Sequence, residues 1–184
     1  MVNNIAVLPK GTFSDLAAQE FLKKNPQISA NISYHETIPN VFKDLDAENS
    51  QYAVVPIENT LAGFEETTKK GLDNFSIEII DEITLPIQFS FLSNVEHSKI
   101  KKIFAHNMAK KQCLKFLSKF SPEQIIYADS NIDSFEKLNE STDNAAIVPI
   151  HIFEENAENY KFSLKNITDS PDNNTRFLVL RKIK

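Results

Sequence analysis

A few short loops in this sequence hold the residue types that could do chemistry. Pro9-Lys10-Gly11-Thr12-Phe13-Ser14 and Glu58-Asn59-Thr60-Leu61-Ala62-Gly63 each follow an apolar run, and so do Ala105-His106-Asn107, Asp129-Ser130-Asn131 and His151. These loops offer hydroxyls, amides and backbone donors, and the first opens onto a helical pattern. Free N–H groups at a helix N-terminus attract anions, so a small carboxylate or phosphate ligand follows. No His, Cys or Asp set has metal-ligand spacing, and neither a Ser-His-Asp arrangement nor a phosphate loop is present. No metal or cofactor is expected.

Each of these residues also has a plainer role. Thr12 and Ser14 suit helix capping, and Asn59-Thr60 suits an ordinary turn. His106 near a helix start reads as a surface residue, and Cys113 on an apolar helix face reads as core. Lys110-Lys111, Glu65 and Glu66 read as solvated faces. From residue types alone the chemistry stops at a small-anion site.

The loops need elements to hold them. Ile5-Ala6-Val7-Leu8 reads as a buried strand broken by Pro9 and Gly11. A helix capped by Ser14 or Asp15 follows, closed by Pro26. A strand over 29–34, a helix over 38–47 and a strand over 52–57 complete a βαβαβ unit. The order repeats as a strand over 102–105, a helix over 108–120, a strand over 124–128, a helix over 132–139 and a strand over 145–150. Val55-Pro56-Ile57 returns as Val148-Pro149-Ile150. The segment 77–93 is β-rich and carries the chain between lobes, and 174–183 alternates as a final strand returning to lobe one. The expected fold is α/β: two βαβαβ lobes joined by crossing strands, periplasmic-binding-protein-like (type II), with a ligand cleft between the lobes. Lobe one is 1–79 plus 165–184, and lobe two is 80–164. Ligands of open α/β sheets bind beyond the carboxyl ends of the strands, where these loops fall.

Composition narrows the class. With 41% hydrophobic and 24% charged residues, the 184-residue chain has the balance of a folded globular protein. A net charge of −5 argues against nucleic acid as the main partner. No apolar run reaches the roughly 20 residues of a membrane span, and no basic n-region opens the chain. The single cysteine, Cys113, allows no internal disulfide, so a cytoplasmic location is expected.

Taken together, Gly11-Thr12-Phe13-Ser14, Val55-Pro56-Ile57-Glu58-Asn59-Thr60 and Asn174-Thr175-Arg176-Phe177-Leu178-Val179-Leu180 resemble the motifs of prephenate dehydratase, in order and spacing. Ile80-Asp81-Glu82-Ile83-Thr84-Leu85-Pro86-Ile87 resembles the family's interlobe strand. The resemblance runs essentially the whole chain. It implies a hydro-lyase of phenylalanine biosynthesis that converts prephenate, a dianion, to phenylpyruvate, water and carbon dioxide. By that resemblance Thr175 donates to the departing hydroxyl and is the catalytic residue. Arg176 binds a carboxylate with its planar fork, and Phe177 shapes the pocket. Thr12, Asn59 and Thr60 hold substrate oxygens, and Ser130 contributes from lobe two.

Some positions depart from the family pattern. Leu8 stands before Pro9 where the family has Gly, Ala105-His106-Asn107-Met108-Ala109 replaces Ser-His-Pro-Gln-Ala, Ser130-Asn131-Ile132 replaces Ser-Thr-Ala, and Gln88 replaces a frequent His. Lobe one is therefore expected to hold most catalytic groups, and lobe two to act as a lid. The family often adds a C-terminal ACT domain that binds phenylalanine. This sequence stops four residues after Leu180 and is expected to lack it, as an unregulated form or as part of a longer protein. The expected partner is prephenate, with no nucleic acid and no membrane; a homodimer is allowed but not specified. Two other functions compete: a prephenate decarboxylase that keeps the hydroxyl, and a non-catalytic small-anion sensor of the same fold.

Overall fold

The computed structural model describes residues 3–183. Strand β1 (Asn3–Val7) buries Ile5, Ala6 and Val7 completely and ends before Pro9. Gly11 then takes a φ of +75°, a left-handed turn that disfavours a side chain. Helix α1 (Phe13–Lys24) follows with Thr12 as its N-cap, not Ser14 or Asp15. Those two lie inside the first turn, both buried. The Asp15 carboxylate reaches back to accept the Gly11 N–H at 2.9 Å, and the Asp15 N–H donates to Thr12 Oγ1 at 3.4 Å. This is a variant of the capping box, which satisfies helix-start donors from both directions.

Strand β2 (Ala30–Tyr34), helix α2 (Ile38–Asp46, capped by Thr37) and strand β3 (Tyr52–Asn59) complete the first repeat. A two-residue strand β4 (Gly63–Phe64) folds back on β3, and helix α3 (Glu66–Asn74) comes next. The sequence pattern shows no α3 because the helix has no apolar stripe; its buried residues are Thr68 and Gly71. Gly71 is needed there, since a Cβ would overlap the ring of the buried Phe42 on α2. Strand β5 (Ile77–Pro86) and strand β6 (Phe89–Ser93) divide the β-rich segment between them.

The second repeat runs through β7 (Lys102–His106), α4 (Asn107–Gln112), α5 (Leu114–Leu117), β8 (Ile125–Ala128), α6 (Asn131–Leu138) and β9 (Asn144–Pro149). The spacing predicts one helix over 108–120, but the structure breaks it at Cys113. The reason is a distant residue. The Asp169 carboxylate accepts the N–H groups of Leu114 and Lys115 at 2.8 and 3.0 Å, starting a new helix there. Helix α7 (Ile150–Asn156), strand β10 (Phe162–Leu164) and strand β11 (Asn174–Lys182) finish the chain.

One sheet has the order β2-β1-β3-β11-β5, with β4 beside β3; the other has the order β10-β6-β9-β7-β8. β1 is parallel to both β2 and β3, and β7 is parallel to both β8 and β9. β11 enters the first sheet antiparallel to both β3 and β5. Ile5, Val7, Phe177 and Val179 pack with Ala17, Ala18 and Phe21 of α1, while Ala6, Leu178 and Leu180 pack with Val41, Phe42 and Leu45 of α2. The first sheet is thus covered by apolar clusters on both faces.

The chain divides into two compact units: residues up to Pro86 together with those from Asp172 onward, and Ile87–Pro171. A division after residues 79 and 164, as read from the sequence, sets 80–86 apart from their sheet. β5 pairs with β11 as far as Asn174↔Pro86, which ties that stretch to the first unit. Residues 165–169 bond to the second: the Asn166 N–H donates to Ser90 Oγ at 3.0 Å and the Ile167 N–H to the Phe89 carbonyl at 2.8 Å. Among the described residues, no helix is long and apolar enough to cross a membrane.

Candidate functional site

Two strand ends meet in the first sheet. Asn59 closes β3, Thr175 stands near the start of antiparallel β11, and the two are register partners. The Asn59 side chain fills the space between them. Its Nδ2 donates to Asn173 Oδ1 at 2.8 Å, to Thr175 Oγ1 at 2.8 Å and to the Asn174 carbonyl at 3.1 Å. Its Oδ1 accepts the N–H groups of Leu61 and Ala62 at 3.0 and 2.9 Å. That second pattern is an Asx turn, in which a short amide side chain replaces a backbone acceptor. Gly63, with φ +79°, then returns the chain along β3.

Thr60 adds a second tie across the same gap. Its N–H donates to the Asn174 carbonyl at 2.9 Å, and its hydroxyl donates to the Asp172 carbonyl at 2.9 Å and accepts the Asn174 N–H at 3.0 Å. Asn173 is 1% exposed and Thr175 8%. A cluster of neutral donors is therefore held rigidly at the end of a buried sheet.

Strand geometry sends consecutive side chains to opposite faces, and this separates Thr175 from Arg176. Phe177, two residues from Thr175, lies in the cluster beneath α1 at 2% exposure. Arg176 lies on the other face, between two carboxylates. Its Nη1 donates to both Glu82 oxygens at 3.2 and 3.1 Å, and its Nη2 donates to Glu58 Oε2 at 3.0 Å. Hydrogen bonds to Glu82 and Glu58 hold the guanidinium pKa above its already high ordinary value. The fork suggested for a substrate carboxylate is thus occupied by protein acids, and the Phe177 ring is core.

Thr12 stands at the start of α1, just beyond the carboxyl end of β1. Because β1 and β3 are parallel, Thr12 and Asn59 belong to the same end of the sheet, and antiparallel β11 brings its first residues there too. Ser130 belongs to the other unit, where it caps α6 by accepting the Asp133 N–H at 2.9 Å. His106 ends β7, and burial lowers its pKa. A hydrogen bond therefore joins Asn59 to Thr175, and Thr60 is tied to the same strand end through Asn174 and Asp172. Thr12 shares their sheet end, Arg176 turns away from it, and Phe177 is sunk in the core.

Sequence reasoning missed Asn173, the pairing of Arg176 with Glu58 and Glu82, and the Asp15–Tyr34 pair, in which the Tyr34 hydroxyl donates to Asp15 Oδ1 at 3.1 Å. The polar run Asp172-Asn173-Asn174 ahead of an apolar strand was a usable signal for the first of these. Strand alternation would have flagged Arg176 as facing away from Thr175. Nothing local marks Glu82 as its partner.

The sequence model of prephenate dehydratase matches residues 5–184. The chain belongs to the prephenate dehydratase family. It is 34% identical over 178 residues to the bifunctional chorismate mutase/prephenate dehydratase of Aquifex aeolicus, covering 95% of this chain and 47% of that protein. With the prephenate dehydratase of Methanocaldococcus jannaschii it shares 32% identity over 183 residues, covering 97% of this chain and 64% of that protein. The chain spans about half the length of the bifunctional relatives it matches.

Solved structures agree. The prephenate dehydratase of Staphylococcus aureus superposes with a TM-score of 0.80 at 28% identity, covering 99% of this chain and 67% of that one. That of Arthrobacter aurescens, in complex with L-Phe, gives a TM-score of 0.77 at 25% identity, covering 100% of this chain and 60% of that one. The regulatory domain of OxyR2 from Vibrio vulnificus shares the fold alone, with a TM-score of 0.55 at 10% identity over 98% of this chain and 86% of that one. Prephenate dehydratase membership and the α/β fold with two strand-helix repeats read from the sequence both stand.

Proposed function

We propose that this chain catalyses the decarboxylating dehydration of prephenate to phenylpyruvate, a step of phenylalanine biosynthesis, with Thr175 as the group that meets the departing hydroxyl. The observation that carries the reading is the Asn59–Thr175 pair, built at the sheet end where the family motifs converge. In the reaction the bond to the ring carboxylate breaks and its electron pair enters the ring. The carbon–oxygen bond then breaks, the hydroxyl leaves with its pair, and the ring becomes aromatic. Hydroxide is a poor leaving group, so a hydrogen bond or proton must meet it as it goes. A threonine hydroxyl is too weak an acid to give up its proton fully at neutral pH; its part is to hydrogen-bond the leaving oxygen, with water completing the transfer.

Aromatisation supplies the driving force, and the protein's task is orientation and charge placement. Thr12 and the first N–H groups of α1 are the neutral donors suited to a substrate carboxylate, with Lys10 exposed beside them. Arg176 acts indirectly, by pinning β11 to Glu58 of β3 and Glu82 of β5.

Product analysis after incubation with prephenate tests the reading. Phenylpyruvate supports it, a non-aromatic keto acid shows a decarboxylase that keeps the hydroxyl, and unchanged prephenate shows a binding protein. Thr175→Ala is expected to lower turnover by roughly 10²-fold; near-normal rates would remove Thr175 from the mechanism.

A further inference from the structure

We infer that Asn59 is a positioning residue that acts through Thr175, turning the threonine hydroxyl outward as a donor, and that it does not bind substrate itself. The inference rests on the dehydratase reading for its catalytic consequence, but the geometry behind it is independent of any activity. Orientation of an amide side chain has to be deduced from its partners, and here the partners decide it. The Leu61 and Ala62 backbone N–H groups can only donate, so the atom facing them is the amide oxygen. The nitrogen therefore faces Thr175 Oγ1, Asn173 Oδ1 and the Asn174 carbonyl.

The accounting leaves Asn59 with nothing to offer a ligand. Its two amide protons are shared among three protein acceptors, and both lone-pair positions of its oxygen are filled by backbone donors. Thr175 is in the opposite condition. A hydroxyl carries one proton and two acceptor sites. The 2.8 Å bond from Asn59 Nδ2 uses an acceptor site, because an amide nitrogen can only donate. The hydroxyl proton must point elsewhere, and among the described residues Thr175 makes no donor bond of its own. A donor bond into a hydroxyl oxygen also polarises its O–H, strengthening the next bond in the chain.

Asn173 completes the device. It is almost wholly buried and accepts from the same amide, which fixes the Asn59 plane. Without Asn59 the Thr175 side chain could rotate, and its hydroxyl could donate to the Asn174 carbonyl or another local acceptor.

A double-mutant cycle tests the catalytic half. Asn59→Ala is expected to lower kcat by about 10- to 100-fold with KM within about threefold, the pattern of a group that matters in the transition state. In a Thr175→Ala background, Asn59→Ala should lower kcat no further, within about twofold, because the residue it acts through is gone. Losses that multiply, or a raised KM with kcat unchanged, would overturn the inference in favour of a direct ligand. The structural half is read without substrate. The side-chain amide resonances of Asn59 should keep their positions in Thr175→Ser, which retains the acceptor, and move in Thr175→Val. Resonances unmoved in Thr175→Val would overturn it, even in a protein that leaves prephenate untouched, whereas lack of turnover with the shift intact defeats only the dehydratase reading.

Discussion

Thr175 and Arg176 are neighbours on β11 with opposite surroundings: Thr175 is gripped by Asn59 at the sheet end, and Arg176 is clamped between Glu58 and Glu82 on the other face. A sequence motif puts them side by side, but the pleat of the strand assigns them different work.

Arg176→Lys should therefore act on stability more than on substrate. The side chain is 36% exposed, and a half-exposed ionic cluster is worth on the order of 1 kcal/mol. Thermal unfolding should show a Tm lower by a few degrees, with KM for prephenate changed less than about twofold. A tenfold rise in KM with Tm unchanged would show that the guanidinium reaches substrate.

Gly71→Ala tests the packing of α3 on α2. An added Cβ meets the Phe42 ring, which is buried on all sides and also stacks on Phe75 with ring centroids 5.8 Å apart. Overpacking of this kind costs roughly 1–3 kcal/mol. Equal or greater stability in denaturant titration would mean that α3 moves freely.

Tyr34 should mark the alkaline limit of the fold. Partial burial, then the negative charge and hydrogen bond of Asp15, push its pKa from 10.0 to about 12. A raised phenol pKa means that the folded state holds its proton longer than the unfolded state. The stability this contributes is present in full below pH 10.0 and is lost as pH rises through about 12. Tyr34 should appear as a late-ionising step when phenolate absorbance is followed. Tyr34→Phe should remove that late step and flatten the stability loss across the same window.

Cys113 should be chemically silent. It is fully buried, and burial together with the nearby Asp169 charge pushes its thiol pKa up to about 12. The thiolate is the reactive species, so thiol reagents at neutral pH should modify the folded protein only at the rate of unfolding. Rapid labelling of the native protein would contradict the packing around the α4–α5 break.

Legibility in the sequence followed the range of the interaction. Strands β1, β3 and β9 announce themselves as apolar runs ended by Pro or polar residues, and α2 by Val41, Phe42 and Leu45 on one side. Helix α7 was hidden because Ile150, Ile152 and Phe153 continue the apolar run of β9. Helix α3 was hidden because Gly71 and Thr68 do the packing. The break at Cys113 depends on Asp169, far along the chain, and no local pattern reports it.

The sequence by itself carried the two βαβαβ repeats, which rest on neighbouring residues and their periodicity, and the motif resemblance to the family, which put forward Thr12, Asn59, Thr60, Ser130, Thr175, Arg176 and Phe177. Only the tertiary structure decided what those residues touch. Inserting β11 antiparallel between β3 and β5 set Asn59 against Thr175 and gave Arg176 its two glutamates. Those contacts join segments far apart in sequence, and a hydrogen bond is a matter of position in space, which no spacing along the chain records.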